Sequence, residues 1–412
     1  MWTGSGKTSV TAGFLSALKG STHIKVGPDF IDPMILSSIS GERGYNLDRW
    51  LGGKNYRNVL AFASRGHKIA VVEGVMGAYD SGVGKGFSTM EYFHRSGIPY
   101  VLVVDVYKHA ESIYHAAKGF TGKNCIGVVL NRYTTPRHLE IVEKPFTDKN
   151  IRILGRIPYD ESFHVSERHL GLKIEEGIET IRAVGNKISG YLDTSFVNDL
   201  PVREFQIPKQ EGQKIGRMAI AMDDAFSFYY QSSLDMLSSM FEVEFFSPLK
   251  NQVPENPDVI YLGGGYPELH AEKLHDSTKT SSYIRDFAEN GGYVYGECGG
   301  AMYMMKNMNS GGKEYDMAGI FTGRSVMEKK PVLSYTEMFT ESVNPYYRKG
   351  MRIFGHEFHY SRIETNEKMC MKMVRGKGIN GKDGMVKKNS LGIYTHVDMG
   401  RYGNIFSSIK HK

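Results

Sequence analysis

One cysteine lies in a setting that favours nucleophilic chemistry. Cys298 ends the apolar run "GGYVYGEC" and is flanked by Gly296, Gly299 and Gly300. Small neighbours permit a tight turn from strand to helix, and the N-terminus of the following helix would lower the thiol pKa and offer N–H groups to an oxyanion. The pattern predicts a nucleophile elbow, with a buried structural cysteine as the alternative.

A thiol nucleophile needs a base, and histidine is the usual one. The candidates are His356 and His359 in "GHEFHYS" and His396 in "IYTHVD". Cys125 and Cys370 have no elbow, so we expect structural roles for them. Widely spaced cysteines without a C-x-x-C pair indicate neither a disulfide framework nor a zinc site.

A phosphate-binding signature, "GSGKT", occupies residues 4–8. The backbone N–H groups of such a loop, with the N-terminus of the next helix, surround phosphate oxygens, while the lysine adds a charge and the hydroxyl reaches a magnesium ion. The helix-forming "SVTAGFLSALK" follows, and a chance match in a flexible terminus is the alternative. Met1 stands where the motif G-x-x-x-x-G-K-[ST] has its first glycine.

Acidic residues follow several predicted strands, at the edge where open α/β sheets bind ligands. Glu73 ends "IAVVEG", the stretch "KVGPDFIDP" presents Lys25, Asp29 and Asp32, and Asp80 lies in "VMGAYDSG". Because a buried carboxylate needs a partner, we expect a metal ion beside Glu73. For Asp80, a turn-forming role in a glycine-rich loop is an equal alternative.

Composition is that of a soluble globular protein, with 412 residues, 41% apolar and 23% charged. No apolar run approaches the roughly 20 residues that cross a bilayer, and no signal peptide precedes the glycine loop, so we expect a cytoplasmic protein. The net charge of +6 is scattered, which argues against a nucleic-acid partner.

Short apolar runs alternate with helical stretches, which predicts an α/β fold with parallel sheets in two domains. We expect strands at 22–26, 69–74, 99–105, 125–131, 151–158, 216–223, 243–248, 258–265 and 291–298. The polar region 172–213 is predicted to be a linker between domains 1–171 and 214–412.

The motifs together resemble the cobyrinate a,c-diamide synthase family of glutamine-dependent tetrapyrrole amidases. In chain order they are the P-loop, "KVGPDFIDP", "VVEGVMGAYD", "GGGYPELHAEKL", "YGECGGAMYM" and "GHEFHYSR", and they span nearly the whole chain. The resemblance implies a dethiobiotin-synthetase-like P-loop amidoligase domain followed by a class I glutamine amidotransferase-like domain. It also implies that ATP phosphorylates a macrocycle carboxylate, glutamine is hydrolysed at the cysteine, and the released ammonia attacks the acyl phosphate.

The same resemblance assigns roles in the second domain. Cys298 would be the nucleophile and His396 its base, with an oxyanion hole around Gly264, Gly265 and Gly299. It assigns no step to the histidines of "GHEFHYS".

In the first domain the resemblance implies ATP and Mg²⁺ as cofactors, and a tetrapyrrole polycarboxylate as the partner alongside glutamine. Nucleotide-binding residues would be Gly4, Ser5, Gly6, Lys7, Thr8, Lys25 and Asn131, the last at adenine. Magnesium would be held by Thr8, Asp29 and Glu73. Substrate would be contacted by Asp29, Phe30, Asp32 and Asp80. No nucleic acid or membrane is expected, and a homodimer is left open.

Two features depart from the family pattern. Asp398 follows His396 at the spacing where triad amidotransferases carry glutamate, and it would either orient His396 or face solvent. Family members also place a strand before the glycine loop. We expect that strand to be missing from this chain, through a misplaced start or a truncation, and the first domain to be less stable without it.

Three functions stay open on these grounds. The first is amidation of the a and c acetate carboxylates of cobyrinate in cobalamin biosynthesis. The second is the nickel-sirohydrochlorin a,c-diamide synthase reaction of methanogens, which shares the motifs. The third is a regulatory P-loop ATPase with an inert second domain, which the pairing of Cys298 with His396 disfavours.

Overall fold

Two units divide the chain, as the α/β pattern predicted. The computed structural model describes residues 1–163, 174–205, 213–407 and 409. The first unit consists of Met1–Arg49 and Lys54–Pro208, and the second of Trp50–Gly53 and Lys209–Lys412. Within the described residues no helix is long and apolar enough to cross a membrane.

Parallel strands of the first unit form two three-stranded sheets, because β1 pairs with both β2 and β3, and β5 pairs with both β4 and β6. The strands are β1 (Thr22–Val26), β2 (Tyr45–Leu47), β3 (Ala70–Glu73), β4 (Tyr100–Asp105), β5 (Cys125–Tyr133) and β6 (Ile153–Pro158). All except the short β2 were predicted within a few residues, since near-continuous apolar runs mark strands that are buried on both faces.

An apolar cavity of about 190 Å³ is lined by β3 and β4, the neighbouring edges of these two sheets. Met1 also lines it, and its amino group donates a hydrogen bond of 2.7 Å to the carbonyl of Val103 in β4. The carbonyl of Met1 accepts from the N–H of Ala78 at 2.7 Å.

Helices connect the strands of the first unit. They are α1 (Lys7–Ala17), α2 (Ile31–Ser40), α3 (Arg49–Gly52), α4 (Asn58–Ala63), α5 (Thr89–Ser96), α6 (Ser112–Lys118), α7 (Pro136–Thr147) and α8 (Ile174–Ser189). Helix α3 begins in the first unit and ends in the second.

Helix α8 lies in the region 172–213, which was predicted to be a linker. Its residues Ile181, Val184 and Ile188 are at most 2% exposed, at spacings that place them on one helical face. Ile181 packs in a cluster with Ala12 and Leu15 of α1. This part of the region therefore belongs to the core of the first unit, while 172–173 and 206–212 lie outside the described residues.

The second unit is built on an 11-stranded mixed sheet. Its strands are β7 (Arg217–Ala221), β8 (Glu242–Phe246), β9 (Val259–Leu262), β10 (Tyr293–Glu297), β11 (Met305–Ser310), β12 (Lys313–Asp316), β13 (Phe321–Thr340), β14 (Arg352–Glu364), β15 (Met369–Arg375), β16 (Lys382–Lys387) and β17 (Ser390–Ile393). The order is β12-β11-β13-β15-β16-β17-β10-β9-β7-β8, with β14 paired to β13.

Strands β8, β7, β9, β10 and β17 are parallel, and they include the four strands predicted for this domain. The long antiparallel pair β13 and β14 was not predicted. The helices are α9 (Gln231–Met240), α10 (Ala271–Asp276), α11 (Thr278–Glu289), α12 (Gly299–Tyr303) and α13 (Met399–Tyr402).

Replacing Ile181 with alanine tests the assignment of α8 to the core. The side chain is fully buried, so Ile181→Ala should lower the free energy of unfolding by about 2–5 kcal/mol. Asn186→Ala, at an exposed position of the same helix, should change it by less than about 0.5 kcal/mol. Urea unfolding followed by circular dichroism measures both, and equal effects would return the helix to a linker role.

Candidate functional site

Two glycines of the loop at residues 4–8 have a backbone conformation that residues with side chains rarely adopt. Gly4 and Gly6 have φ angles of 78° and 85°, and Gly6 is the N-cap of α1. A Cβ atom on Gly6 would lie 2.4 Å from Nδ2 of Asn131. The N–H groups of this loop lie at the start of a helix, which is the arrangement that binds phosphate.

Asn131 lies against the loop rather than away from it. Its Nδ2 donates a hydrogen bond of 3.0 Å to the carbonyl of Ser5, and the residue is 6% exposed. Asn131 also lines a second cavity of the first unit, which has a volume of about 1140 Å³. Its predicted contact with adenine stays a prediction.

A buried charge network lies beside the loop. The Thr8 hydroxyl donates to Glu73 Oε1 at 2.7 Å, and Lys25 Nζ lies 3.0 Å from Glu73 Oε1 and 2.5 Å from Asp32 Oδ2. Burial alone would raise the pKa of Glu73. Lys25 and His23 have the larger, opposite effect and lower the pKa to about 2. Glu73 is therefore ionised at neutral pH, and the structure brings together three of the predicted phosphate and metal residues.

Lys7 and Asp29 complete the charged lining. Lys7 Nζ donates to the carbonyl of Trp2 at 3.1 Å, and burial lowers the pKa of Lys7. Asp29 Oδ1 accepts from the N–H of Ile31 at 2.9 Å, and burial together with Asp32 raises the pKa of Asp29 to about 7. Both residues line the same cavity as Thr8 and Glu73.

The other two predicted substrate residues are placed differently. Phe30 is 8% exposed and precedes α2. Asp80 is exposed, and its Oδ2 accepts from the N–H of Gly77 at 3.1 Å in a turn. Asp80 has the turn-forming role that was one of its two alternatives, and a contact with substrate stays a prediction.

The cavity around these residues has a volume of about 1140 Å³, enough for a nucleotide with space left over. Its wall includes Tyr107, Tyr159 and Arg132, which the sequence analysis missed. The two tyrosine rings stack at 4.7 Å with 17° between their planes. Their position just after β4 and β6, at the ligand-binding edge of a parallel sheet, is the signal that could have found them.

Cys298 forms the predicted strand-to-helix turn in the second unit. It lies between β10 and α12 with φ 46° and ψ −106°, a strained conformation for a residue with a side chain. Its N–H donates to the carbonyl of Ile393 at 2.7 Å, and its Sγ lies 3.4 Å from the carbonyl oxygen of Phe358. A Cβ atom on Gly300 would lie 2.0 Å from the carbonyl oxygen of Leu262, so the helix packs closely on β9.

The expectation of a lowered thiol pKa is wrong. Burial, with Glu268 adding a like charge, raises the pKa of Cys298, and the N–H of Gly299 offsets this only in part. Helix α12 has five residues, so its dipole is weak. The thiol is therefore protonated in the resting site and needs a base.

His396 is buried three residues after Ile393, whose carbonyl accepts from the N–H of Cys298, in a segment that also pairs with "GHEFHYS". The N–H groups and carbonyls of His356 and His396 exchange hydrogen bonds of 3.0 and 2.7 Å, and their rings stack at 4.9 Å. Tyr230 OH lies 2.7 Å from His356 Nδ1. Burial and the two neighbouring histidines hold the pKa of His396 well below its usual value, so the ring is neutral in the resting site. The motif with no assigned step therefore forms a wall of the site.

The three glycines predicted for an oxyanion hole lie around the same point. A Cβ atom on Gly264 would lie 2.1 Å from Cε1 of His396, and one on Gly299 would lie 3.1 Å from the nitrogen of Gly265. Glycine is required where the backbone approaches the imidazole this closely. Donation from these N–H groups to an oxyanion stays a prediction.

Asp398 is not a surface residue. It is 6% exposed, and its Oδ1 accepts from the hydroxyls of Ser232 and Ser233 at 2.8 and 3.3 Å and from the N–H of Gly400 at 2.8 Å. These are the contacts of a helix cap on α13, so the solvent-facing alternative is wrong. A different acid, Glu297, has its Oε2 3.8 Å from His396 Nδ1, and the sequence analysis did not consider it.

Each unit matches a known protein family. Residues 2–172 match the family described as the CobQ/CobB/MinD/ParA nucleotide binding domain, and residues 217–402 match the CobB/CobQ-like glutamine amidotransferase domain. Curated relatives named cobyrinate a,c-diamide synthase align over nearly full length. The relative from Sulfolobus acidocaldarius is 36% identical over 98% of this chain and 96% of its own, and that from Clostridium acetobutylicum is 33% identical over 99% and 97%.

The raised pKa of Cys298 can be tested by alkylation with iodoacetamide. Glu268→Gln removes the like charge, so Cys298 should react up to about ten-fold faster at pH 8, the equivalent of one pKa unit. The pKa of Glu268 is about 7 because of burial, so its charge is lost as the pH falls below 7. The difference between variant and wild type should vanish there.

Mass spectrometry of peptides measures the labelling, and Cys298→Ser gives the background from the other two cysteines. Equal rates at pH 8 in Glu268→Gln and wild type would show that Glu268 does not influence the thiol.

Proposed function

The chain belongs to the cobyrinate a,c-diamide synthase family, and we propose that it amidates the a and c acetate carboxylates of cobyrinate, using ATP and glutamine, in cobalamin biosynthesis. It is a glutamine-dependent amide-forming ligase. The observation that carries the proposal is a strained Cys298 and a buried neutral His396 just beyond the ends of the paired strands β10 and β17, in a chain that also has a phosphate loop beside an ionised Glu73.

Glutamine hydrolysis would occur at Cys298. The neutral His396 accepts the thiol proton as the sulfur attacks the amide carbon, and N–H groups near Gly265 and Gly299 stabilise the oxyanion. The C–N bond then breaks, His396 returns the proton to the leaving nitrogen, and ammonia departs. Water hydrolyses the thioester to release glutamate and the free thiol.

Carboxylate activation would occur at the glycine loop. A carboxylate oxygen of the macrocycle attacks the γ-phosphorus of ATP, ADP leaves, and ammonia displaces phosphate from the acyl carbon. The loop N–H groups with Lys7 and Lys25 hold the phosphates and offset the charge that develops during transfer.

The oxygen atoms near the loop fit a magnesium ion. Thr8 Oγ1 and Glu73 Oε1 are 2.7 Å apart, and the buried Glu73 Oε2 lies 3.4 Å from His23 Nε2. Mg²⁺ is bound in proteins by one or two carboxylates, a hydroxyl and substrate phosphates. Thr8 and Glu73 would hold it, with Asp29 nearby, and it would neutralise phosphate charge when bound.

The alternatives are separated by substrate. An inert second domain has no use for a strained cysteine and a buried histidine beyond the ends of two paired strands, so we disfavour the regulatory ATPase. Assays with cobyrinate and with nickel sirohydrochlorin as competing acceptors, with amide products detected by mass spectrometry, separate the first two functions. Amidation of the nickel compound alone would overturn the choice of substrate.

Cys298→Ser should eliminate glutamine-supported amidation and keep ammonia-supported amidation, because the two reactions use different residues. His396→Ala should behave in the same way, since a protonated thiol without its base is a poor nucleophile. Product amides are counted with glutamine or ammonium chloride as nitrogen source. If folded Cys298→Ser loses the ammonia reaction as well, the two-site mechanism is wrong.

Lys7→Ala should lower amidation with both nitrogen sources by at least about 100-fold, as expected when charge stabilisation of a transferring group is lost. Glutamine hydrolysis measured alone should continue. Lys19→Ala is the matched control, because Lys19 is an exposed lysine just after the same helix, and it should match wild type. Activity above a few per cent in Lys7→Ala would remove Lys7 from phosphoryl transfer.

A further inference from the structure

We propose that Glu297, the residue before the nucleophile, is the acid that positions His396, so that the hydrolytic site works as Cys298, His396 and Glu297. This inference rests on the proposed function, because it gives a role within glutamine hydrolysis. It replaces the sequence-based hypothesis that Asp398 orients the imidazole.

Sheet pairing places Glu297 at the imidazole. Strands β10 and β17 are parallel, with Glu297 opposite Ile393, and the N–H of Cys298 continues this pairing onto the Ile393 carbonyl. The chain then needs three more residues to reach His396. Oε2 of Glu297 lies 3.8 Å from His396 Nδ1, and the two side chains are 2% and 0% exposed.

Because both side chains are buried, an interaction between their charged forms is stronger than it would be in water. Glu297 Oε1 has no hydrogen-bond partner within the part of the chain that the structure describes. A carboxylate removed from water is costly unless an opposite charge or donors compensate it. Burial raises the pKa of Glu297 to about 8, against the lowering effect of the nearby Tyr261 and Tyr295 hydroxyls.

The compensating charge arises during the reaction. When Cys298 transfers its proton to His396 Nε2, the ring becomes an imidazolium whose Nδ1–H faces Glu297. Above the raised pKa of about 8, Glu297 is ionised, and its negative charge then attracts the imidazolium in a buried setting, where the attraction is stronger than in water. An interaction that is stronger in the transition state than in the resting site accelerates the step.

Positioning is the second effect. A carboxylate that accepts from Nδ1–H leaves Nε2 as the proton acceptor, which is the tautomer that a general base requires. Asp398 is less suited to this role, because its Oδ1 already accepts hydrogen bonds from Ser232, Ser233 and Gly400 in capping α13.

The test compares two buried acids in the same site region. Glu297→Gln keeps the shape but allows the amide to donate to Nδ1, so kcat for glutamine hydrolysis should fall about ten-fold or more while the glutamine KM stays within about two-fold. Glu297→Asp keeps the charge and should recover part of kcat. Asp398→Asn should keep wild-type kcat and lower the unfolding temperature.

Wild-type kcat in folded Glu297→Gln would overturn the proposal, and so would an equal loss of kcat in folded Asp398→Asn. Nitrogen-15 NMR of the histidines in wild type at pH 9, where Glu297 is ionised, with His396 assigned by His396→Ala, should show a proton on Nδ1, and a proton on Nε2 alone would also overturn it. Failure of the proposed function is distinguishable, because then Cys298→Ser would hydrolyse glutamine like wild type.

Discussion

The hydrogen bond from the N–H of Cys298 to the carbonyl of Ile393 joins the two strand ends on which the hydrolytic site depends. Parallel strands bring their carboxyl ends to one edge of a sheet, so residues far apart in the chain meet there. The pairing of β10 with β17 places the nucleophile and His396 on neighbouring ends. At this point Cys298 has a positive φ of 46°, in the turn between β10 and α12.

The same constraint builds the phosphate site of the first unit. Lys25 of β1 and Glu73 of β3 are register partners, and Asp105 of β4 is the partner of Asn131 in β5. In each pair one residue, Glu73 or Asp105, is the last of its strand. The chain therefore uses one device twice, and each unit has its reactive groups at the carboxyl edge of parallel strands.

Burial gives the two sites different electrostatics. In the first unit a carboxylate and a lysine compensate each other, so Glu73 stays ionised although it is 2% exposed. In the second unit the thiol and the imidazole are uncharged in the resting site, since burial disfavours both charged forms, and burial raises the pKa of Glu297 to about 8. The first site is ready to bind anions, whereas the second separates charge only while it reacts.

Sequence alone determined the two α/β domains, the glycine loop, the elbow at Cys298 and most parallel strands, because these depend on local spacing and on runs of apolar residues. It predicted a linker where α8 lies, because most residues of that stretch are polar and the apolar ones on its buried face, such as Ile181, are few. Only the tertiary structure decided which acids reach which partners. Asp398 has the right spacing but caps a helix, while Glu297 lies 3.8 Å from His396 through sheet pairing. Such contacts arise between strands that are distant in the chain, so no local pattern encodes them.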